Sequence, residues 1–224
     1  LGADDFLVKP VDFRELAARV KVLLEKKHFI DRLRSDYAEA LNSAINDGLT
    51  GLYNRTYFMR FLEQEILRSN RQGYPIGLLM IDLDDFKKVN DSLGHLEGDR
   101  ILQETARILR HGVREIDLPA RYGGEEFAIV YPYADPRGLH KAALRLLSTF
   151  GTHRFLSEPI AGMACLTVSM GLAFYPQNAA TAEELIAAAD TALYKAKQSG
   201  RNRVVLADSV VIDFRTHTVK DKEE

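Results

Sequence analysis

Arg121-Tyr122-Gly123-Gly124-Glu125-Glu126-Phe127 sets two glycines and two adjacent carboxylates between two short apolar runs. Ile116, Leu118 and Ala120 lead in, and Phe127, Ala128, Ile129, Val130 and Tyr131 lead out. The pattern predicts two strands joined by a hairpin, with the Gly-Gly pair supplying the positive φ of a tight turn. Such a turn holds Glu125 and Glu126 at a fixed, exposed edge. Like charges side by side repel, so the pair is expected to face a cation, either a metal ion or a basic side chain.

A second acidic segment lies upstream. Ile76-Gly77-Leu78-Leu79-Met80-Ile81 is a continuous apolar run, the mark of a strand buried on both faces, and it ends in Asp82-Leu83-Asp84-Asp85-Phe86-Lys87-Lys88-Val89-Asn90. Carboxylates at a strand end beside a carboxylate hairpin can make a site for hard divalent cations. Two such ions can activate a hydroxyl and stabilise a phosphorus leaving group. The competing reading is an Asp-rich helix N-terminus, with Asp84 and Asp85 as solvated charge favoured by the helix dipole. A calcium loop is excluded, because the sixth and twelfth places counted from Asp82 hold Lys87 and Leu93 rather than Gly and Glu. The chain has no GxxxxGK[ST] loop, which disfavours a P-loop nucleotidase.

The two segments sit within an alternation of helices and strands. Phe13 to about Ala44 reads as one long helix. Leu16, Val20, Leu23, Ile30, Leu33, Tyr37, Leu41 and Ala44 recur at spacings of three and four, with Lys27 interrupting the stripe. The stripe fits a short coiled coil with a copy of itself, or a helix packed on its own domain. Further helices are predicted over 56–71, 97–111, 136–150 and 181–198, the last stopped by Gly200. Strands are predicted over 76–82, 166–174 and 202–206, and 210–214 offers one more. The expectation is an α+β layer, with helices on one side of a mainly antiparallel sheet.

At 224 residues, 46% hydrophobic and 28% charged, the chain can hold one sizeable soluble domain with some extra structure. Thirty basic against thirty-two acidic residues give a net charge of −2, which argues against nonspecific nucleic-acid binding. The single cysteine, Cys165, suits a reducing cytoplasm, and its neighbours Leu166 and Val168 predict a buried filler. The longest uncharged stretch, 159–178, contains Gly162, Ser169, Gly171 and Pro176 and reads as a turn and a buried strand, not a membrane helix. The expected location is the cytoplasm.

The chain resembles the GGDEF diguanylate cyclases, bacterial enzymes that make cyclic di-GMP from two GTP. Asp47-Gly48-Leu49-Thr50-Gly51-Leu52-Tyr53-Asn54-Arg55 is similar to that domain's opening motif, and Asp82 through Asp99 to its metal and guanine segment. Gly123 to Phe127 is the variant GGEEF signature, and Ala196-Lys197-Gln198-Ser199-Gly200-Arg201-Asn202 resembles the closing motif. The first ten residues, ending in Lys9-Pro10, resemble the last strand and Lys-Pro turn of a response-regulator receiver domain. The chain opens without methionine, so a fragment of a longer protein is expected. The expected boundaries are a receiver remnant over 1–26, a helical stalk over 27–46, the catalytic domain over 47–207 and a tail over 208–224. The implied fold is that of nucleotide cyclases and polymerase palms, a central sheet flanked by helices.

The resemblance implies roles. Asp82, the Leu83 backbone carbonyl, Glu125 and Glu126 would hold two Mg²⁺ or Mn²⁺ ions, with Glu125 also the proton acceptor. Lys87 would stabilise charge developing on phosphate, and Lys197 and Arg201 would hold terminal phosphates. Asn90 and Asp99 would read guanine, whose N1–H and exocyclic amine suit a carboxylate. His95 matches a position near the substrate and fits equally a packing residue at a helix start. Arg114-Glu115-Ile116-Asp117 matches the family's RxxD product-inhibition site, with Arg145 a candidate second arginine. Joining two GTP with antiparallel symmetry implies a homodimer. The alternative is an inactive module that binds GTP or cyclic di-GMP without turnover.

Overall fold

The computed structural model describes residues 13–156, 160, 165–207, 211–213 and 218–220. The receiver-like strand and its Lys9-Pro10 turn lie outside the described residues. The chain divides into two units, Leu1–Ala44 and Ile45–Glu224. The first holds nearly all of helix α1 (Phe13–Ile45), 33 residues long, as the stripe predicts. Its apolar stripe is exposed at Val20, Leu23, Ile30, Leu33 and Tyr37. An Arg19–Glu15 ion pair of 2.8 Å braces its opposite chemistry one turn apart.

The second unit is built on a five-stranded sheet. Its strands are β1 (Ile76–Leu83), β2 (Leu118–Arg121), β3 (Glu126–Pro132), β4 (Val168–Tyr175) and β5 (Val204–Leu206), in the order β2-β3-β1-β4-β5. All neighbours are antiparallel except β4 and β5, which are parallel. The expected mainly antiparallel sheet is therefore present, with β1 central and buried along its whole length.

Helices cover both faces of this sheet, not one as predicted. Side chains alternate across a strand, and β1 presents apolar side chains on both sides. Leu79, Ile81 and Leu83 share a core with α3 (Phe86–Leu93), α4 (His95–Gly112) and α5 (Pro136–Thr152). Ile76, Leu78 and Met80 share the other with α2 (Arg55–Gln72) and α6 (Ala182–Gln198). Two apolar faces demand two covering layers.

Local chemistry sets the helix ends. Asn54 caps α2 by accepting the Tyr57 amide at 2.9 Å, and Gly73 ends it at φ 76°. Asp135 caps α5 with Pro136 in the first turn. Gly94, at φ 83°, breaks the α3–α4 segment so that α4 starts at His95, two residues before the predicted start. Gly171 permits a close backbone approach: a Cβ there would lie 2.1 Å from the Ala189 carbonyl oxygen, so α6 rides directly on β4.

One smaller expectation changes and another holds over the described residues. Cys165 is exposed, although Leu166 and Val168 beside it are buried. It lies in the connection ahead of β4, outside the strand that buries Val168. The predicted strand over 210–214 is present as β6 (Val211–Asp213), paired antiparallel with β7 (Thr218–Lys220); Val210 and Phe214 lie outside the described residues. No helix among the described residues is long and apolar enough to cross a membrane.

Candidate active site

Strand register brings the two acidic segments together. Asp82, at the end of β1, lies directly opposite Glu126, the first residue of β3. The Leu83 amide donates to the Glu125 carbonyl at 3.4 Å. The β2–β3 connection, 122–125, is closed by the Tyr122 and Gly123 amides, which donate to the Glu126 carbonyl at 2.8 and 3.2 Å. Neither Gly123 nor Gly124 has a positive φ, contrary to the tight turn predicted. A four-residue loop reverses the chain without the mirror-image turn that a two-residue hairpin needs. Arg121 holds the loop instead. Its Nε and Nη2 donate to the Gly124 carbonyl at 3.1 and 2.9 Å, and its Nη1 faces Asp47 Oδ1 at 3.2 Å. Gly123 serves close approach: a Cβ there would meet Glu126 Oε2 at 3.0 Å.

A basic side chain closes on this edge at Asp82, whereas the cation was expected opposite the Glu125–Glu126 pair. Lys197 Nζ, in the last turn of α6, lies 2.8 Å from Asp82 Oδ2. Asp82 is only 6% exposed. Burial pushes its carboxyl up to about 6, helped by the like charges of Glu125 and Glu126 and opposed by the Lys197 ammonium. Among the described residues no three His, Cys, Asp or Glu side chains form a group that by itself could hold a metal ion. The donor set nevertheless fits magnesium or manganese. It offers hard oxygens in small number, and Asp82 already carries a stand-in cation; such ions keep several waters and take the rest of their shell from phosphates.

The other expected residues lie on α3, on α4 and in the turn after α6. Lys87 is exposed in the first turn of α3. Asn90, on the same helix, is half-buried, and its Oδ1 is buried without a hydrogen-bond partner. Such an orphan is costly unless something arrives to pair it. Gly98 makes room for it, since a Cβ at that position would fall 2.0 Å from Asn90 Oδ1. Asp99 follows Gly98 on α4 and is exposed. His95 is exposed at the start of α4, which removes the packing alternative. Arg201 is exposed in the turn after α6 at φ 58°, its amide bonded to the Ala196 carbonyl at 3.1 Å.

A separate cleft of about 270 Å³ gathers Arg114, Asp117 and Arg145. Asp117 is 6% exposed and receives the Arg114 backbone amide at 2.8 Å and its Nη2 at 2.8 Å. That contact stabilises the charged guanidinium further. Arg114 Nη2 also reaches the Pro132 carbonyl at 3.3 Å. Arg145 comes from α5 and completes a basic rim.

Residues 44–203 match the family described as "Diguanylate cyclase, GGDEF domain". This chain belongs to the GGDEF family. It is 40% identical over 205 residues to the response regulator PleD of Caulobacter vibrioides, which covers 92% of this chain and 45% of PleD. It is 34% identical over 200 residues to the diguanylate cyclase DgcP of Pseudomonas aeruginosa, covering 87% of this chain and 29% of DgcP. The chain thus spans less than half the length of these curated relatives. Among solved structures, the coiled coil and GGDEF domain of DgcB from Caulobacter crescentus, in complex with c-di-GMP, superposes with a TM-score of 0.73. The identity there is 29%, over 86% of this chain and 99% of that one.

Within this GGDEF domain, three features escaped the sequence. Asp84 is not solvated charge: it is 4% exposed and accepts from Thr167 Oγ1 and Ser169 Oγ at 2.7 Å each and from the Asn202 amide at 3.1 Å. The β1 backbone carries it inward, its own amide donating to the Thr167 carbonyl at 2.9 Å, so it staples β1 to β4 and to the closing motif. Asp85 is half-buried at φ 57° and pairs with Lys88 at 3.3 Å. Asp190 joins the charged group around Glu126, Lys197 and Arg55, and burial raises its carboxyl. Its sequence signal is its place two helical turns before Lys197 on α6.

Proposed function

We propose that this GGDEF domain, over residues 47–207, condenses two GTP into cyclic di-GMP and releases two pyrophosphates. The observation that carries the reading is Asp82 in register with Glu126, beside Glu125, with Lys197 closing on it at 2.8 Å. Asp82, the Leu83 carbonyl, Glu125 and Glu126 would hold two Mg²⁺ or Mn²⁺ ions. When bound, these supply charge neutralisation on the triphosphate and a lower pKa at the attacking 3′-hydroxyl.

The remaining work falls to this chain's own side chains. Glu125 accepts the proton from the 3′-hydroxyl as it attacks the α-phosphorus. Lys87 stabilises negative charge on the phosphate as pyrophosphate departs. Lys197 exchanges Asp82 for the terminal phosphates, where Arg201 joins it. Asn90 Oδ1 finds in guanine the donor it lacks, and Asp99 accepts from the same edge; adenine would leave both unpaired, at about 1–3 kcal/mol per group. His95, exposed at the start of α4, would lie near the substrate.

The reaction needs two copies facing each other, because each domain binds one GTP and the product contains two. The Arg114, Asp117 and Arg145 cleft takes the product and restrains the enzyme. An arginine fork beside a carboxylate suits an anionic guanine ligand. The test is to incubate the chain with GTP and Mg²⁺ and identify products by mass, beside Glu125→Gln. Cyclic di-GMP from the parent and none from Glu125→Gln is expected; bound GTP without pyrophosphate would make this a non-catalytic sensor module instead.

A further inference from the structure

Tyr133 lines the Arg114–Asp117–Arg145 cleft and stands outside the RxxD pattern. It follows β3 at φ 53°, in the left-handed region where a bulky aromatic residue is a genuine outlier. Strain of this kind persists where the surroundings over-determine it, and it collects at binding sites. Here the surroundings are specific. The Tyr133 ring stacks on Tyr74 with centroids 3.9 Å apart and planes 29° apart. Tyr74 is itself buried, and its hydroxyl donates to the buried carboxylate of Glu65 at 2.9 Å. The Tyr133 hydroxyl reaches Gln72 Oε1 at 3.3 Å. The ring is thereby fixed at both ends, yet the residue remains 56% exposed. It lines the same cleft as Arg114, Asp117 and Arg145.

We propose that Tyr133, backed by Tyr74, is a preorganised stacking platform for a purine base of a cyclic dinucleotide bound in the Arg114–Asp117–Arg145 cleft. The inference rests on the reading of that cleft as a product site. Guanidinium forks and a carboxylate can grip phosphates and the polar edge of guanine, but neither fixes the base plane. An aromatic face does so with little loss of entropy when its own rotamer is already held. The left-handed backbone accompanies a ring already held against Tyr74. Glycine would adopt that backbone freely but offer no face.

The experiment is calorimetric titration of cyclic di-GMP into the whole chain, together with inhibition constants from initial rates. The variants are Tyr133→Phe, Tyr133→Gly and, as a reference, Arg114→Ala. Glycine suits the left-handed backbone, so this variant removes the ring without adding strain, and its GTP turnover without added product reports its folding. Tyr133→Phe is expected to bind within about threefold of the parent, and Tyr133→Gly to lose about tenfold or more in both Kd and inhibition constant, with KM for GTP unchanged. If Arg114→Ala abolishes binding while Tyr133→Gly binds as the parent does, the platform is overturned and the cleft reading stands. If the parent shows no Arg114-dependent binding, the cleft reading falls and takes this inference with it.

Discussion

At the scale of single residues, the site is governed by one buried carboxyl among like charges. Asp82 has its carboxyl raised from 3.8 to about 6, chiefly by burial. A folded-state value above the unfolded one means that the folded protein binds the extra proton. The associated stability is present below about pH 4 and is lost as pH rises through about 6. Without metal, the domain is therefore expected to lose up to about 3 kcal/mol across that window. Asp82→Asn should flatten the profile in urea melts run at pH 4 to 7 while abolishing turnover. Added Mg²⁺ should restore stability most at the upper end, where the ion no longer competes with a proton. Arg114 supplies a second residue-scale prediction. Its guanidinium reaches the cleft while Asp117 anchors it, away from the Asp82 edge. Arg114→Ala is expected to raise the inhibition constant for cyclic di-GMP by at least about tenfold with kcat within about twofold, measured by initial rates with added product.

At the scale of elements, the site depends on how closely backbones approach. The α3–α4 pair meets where Gly98 leaves space for Asn90 Oδ1, and a Cβ would intrude to 2.0 Å. Only a side-chain end stands in the way, so Gly98→Ala is expected to fold with Asn90 turned aside. KM for GTP should then rise about tenfold, with kcat less affected, as steady-state kinetics would report. Much of this level was legible in the sequence. The unbroken apolar run of Ile76–Ile81 announced a strand buried on both faces, and its acidic end marked the site. The same run also implied two covering layers, a consequence that the single-sided expectation left out. The hairpin's strands were legible while its turn was not: glycine permits positive φ without requiring it, and Arg121 fixes the loop through contacts with Gly124 and Asp47 that no local pattern encodes.

At the scale of the whole molecule, the proposed chemistry needs two active sites facing one another, and the exposed stripe of α1 offers a means of pairing. Specific activity is expected to rise with protein concentration. Replacing Leu23 and Ile30 together by Glu should lower both the dimer fraction and the specific activity at least about tenfold, as sedimentation and turnover assays would report. The sequence by itself determined the family, the order of strands and helices, and the residue types on the acidic edge, because apolar periodicity and short motifs are local properties of the chain. Tertiary structure decided the rest. Asp84 became a buried staple instead of a solvated charge because its partners, Thr167, Ser169 and Asn202, lie more than eighty residues away along the chain. Lys197 met Asp82, and Tyr74 met Tyr133, for the same reason: packing brings distant segments into contact, and only there do burial and neighbouring charge fix what a side chain does.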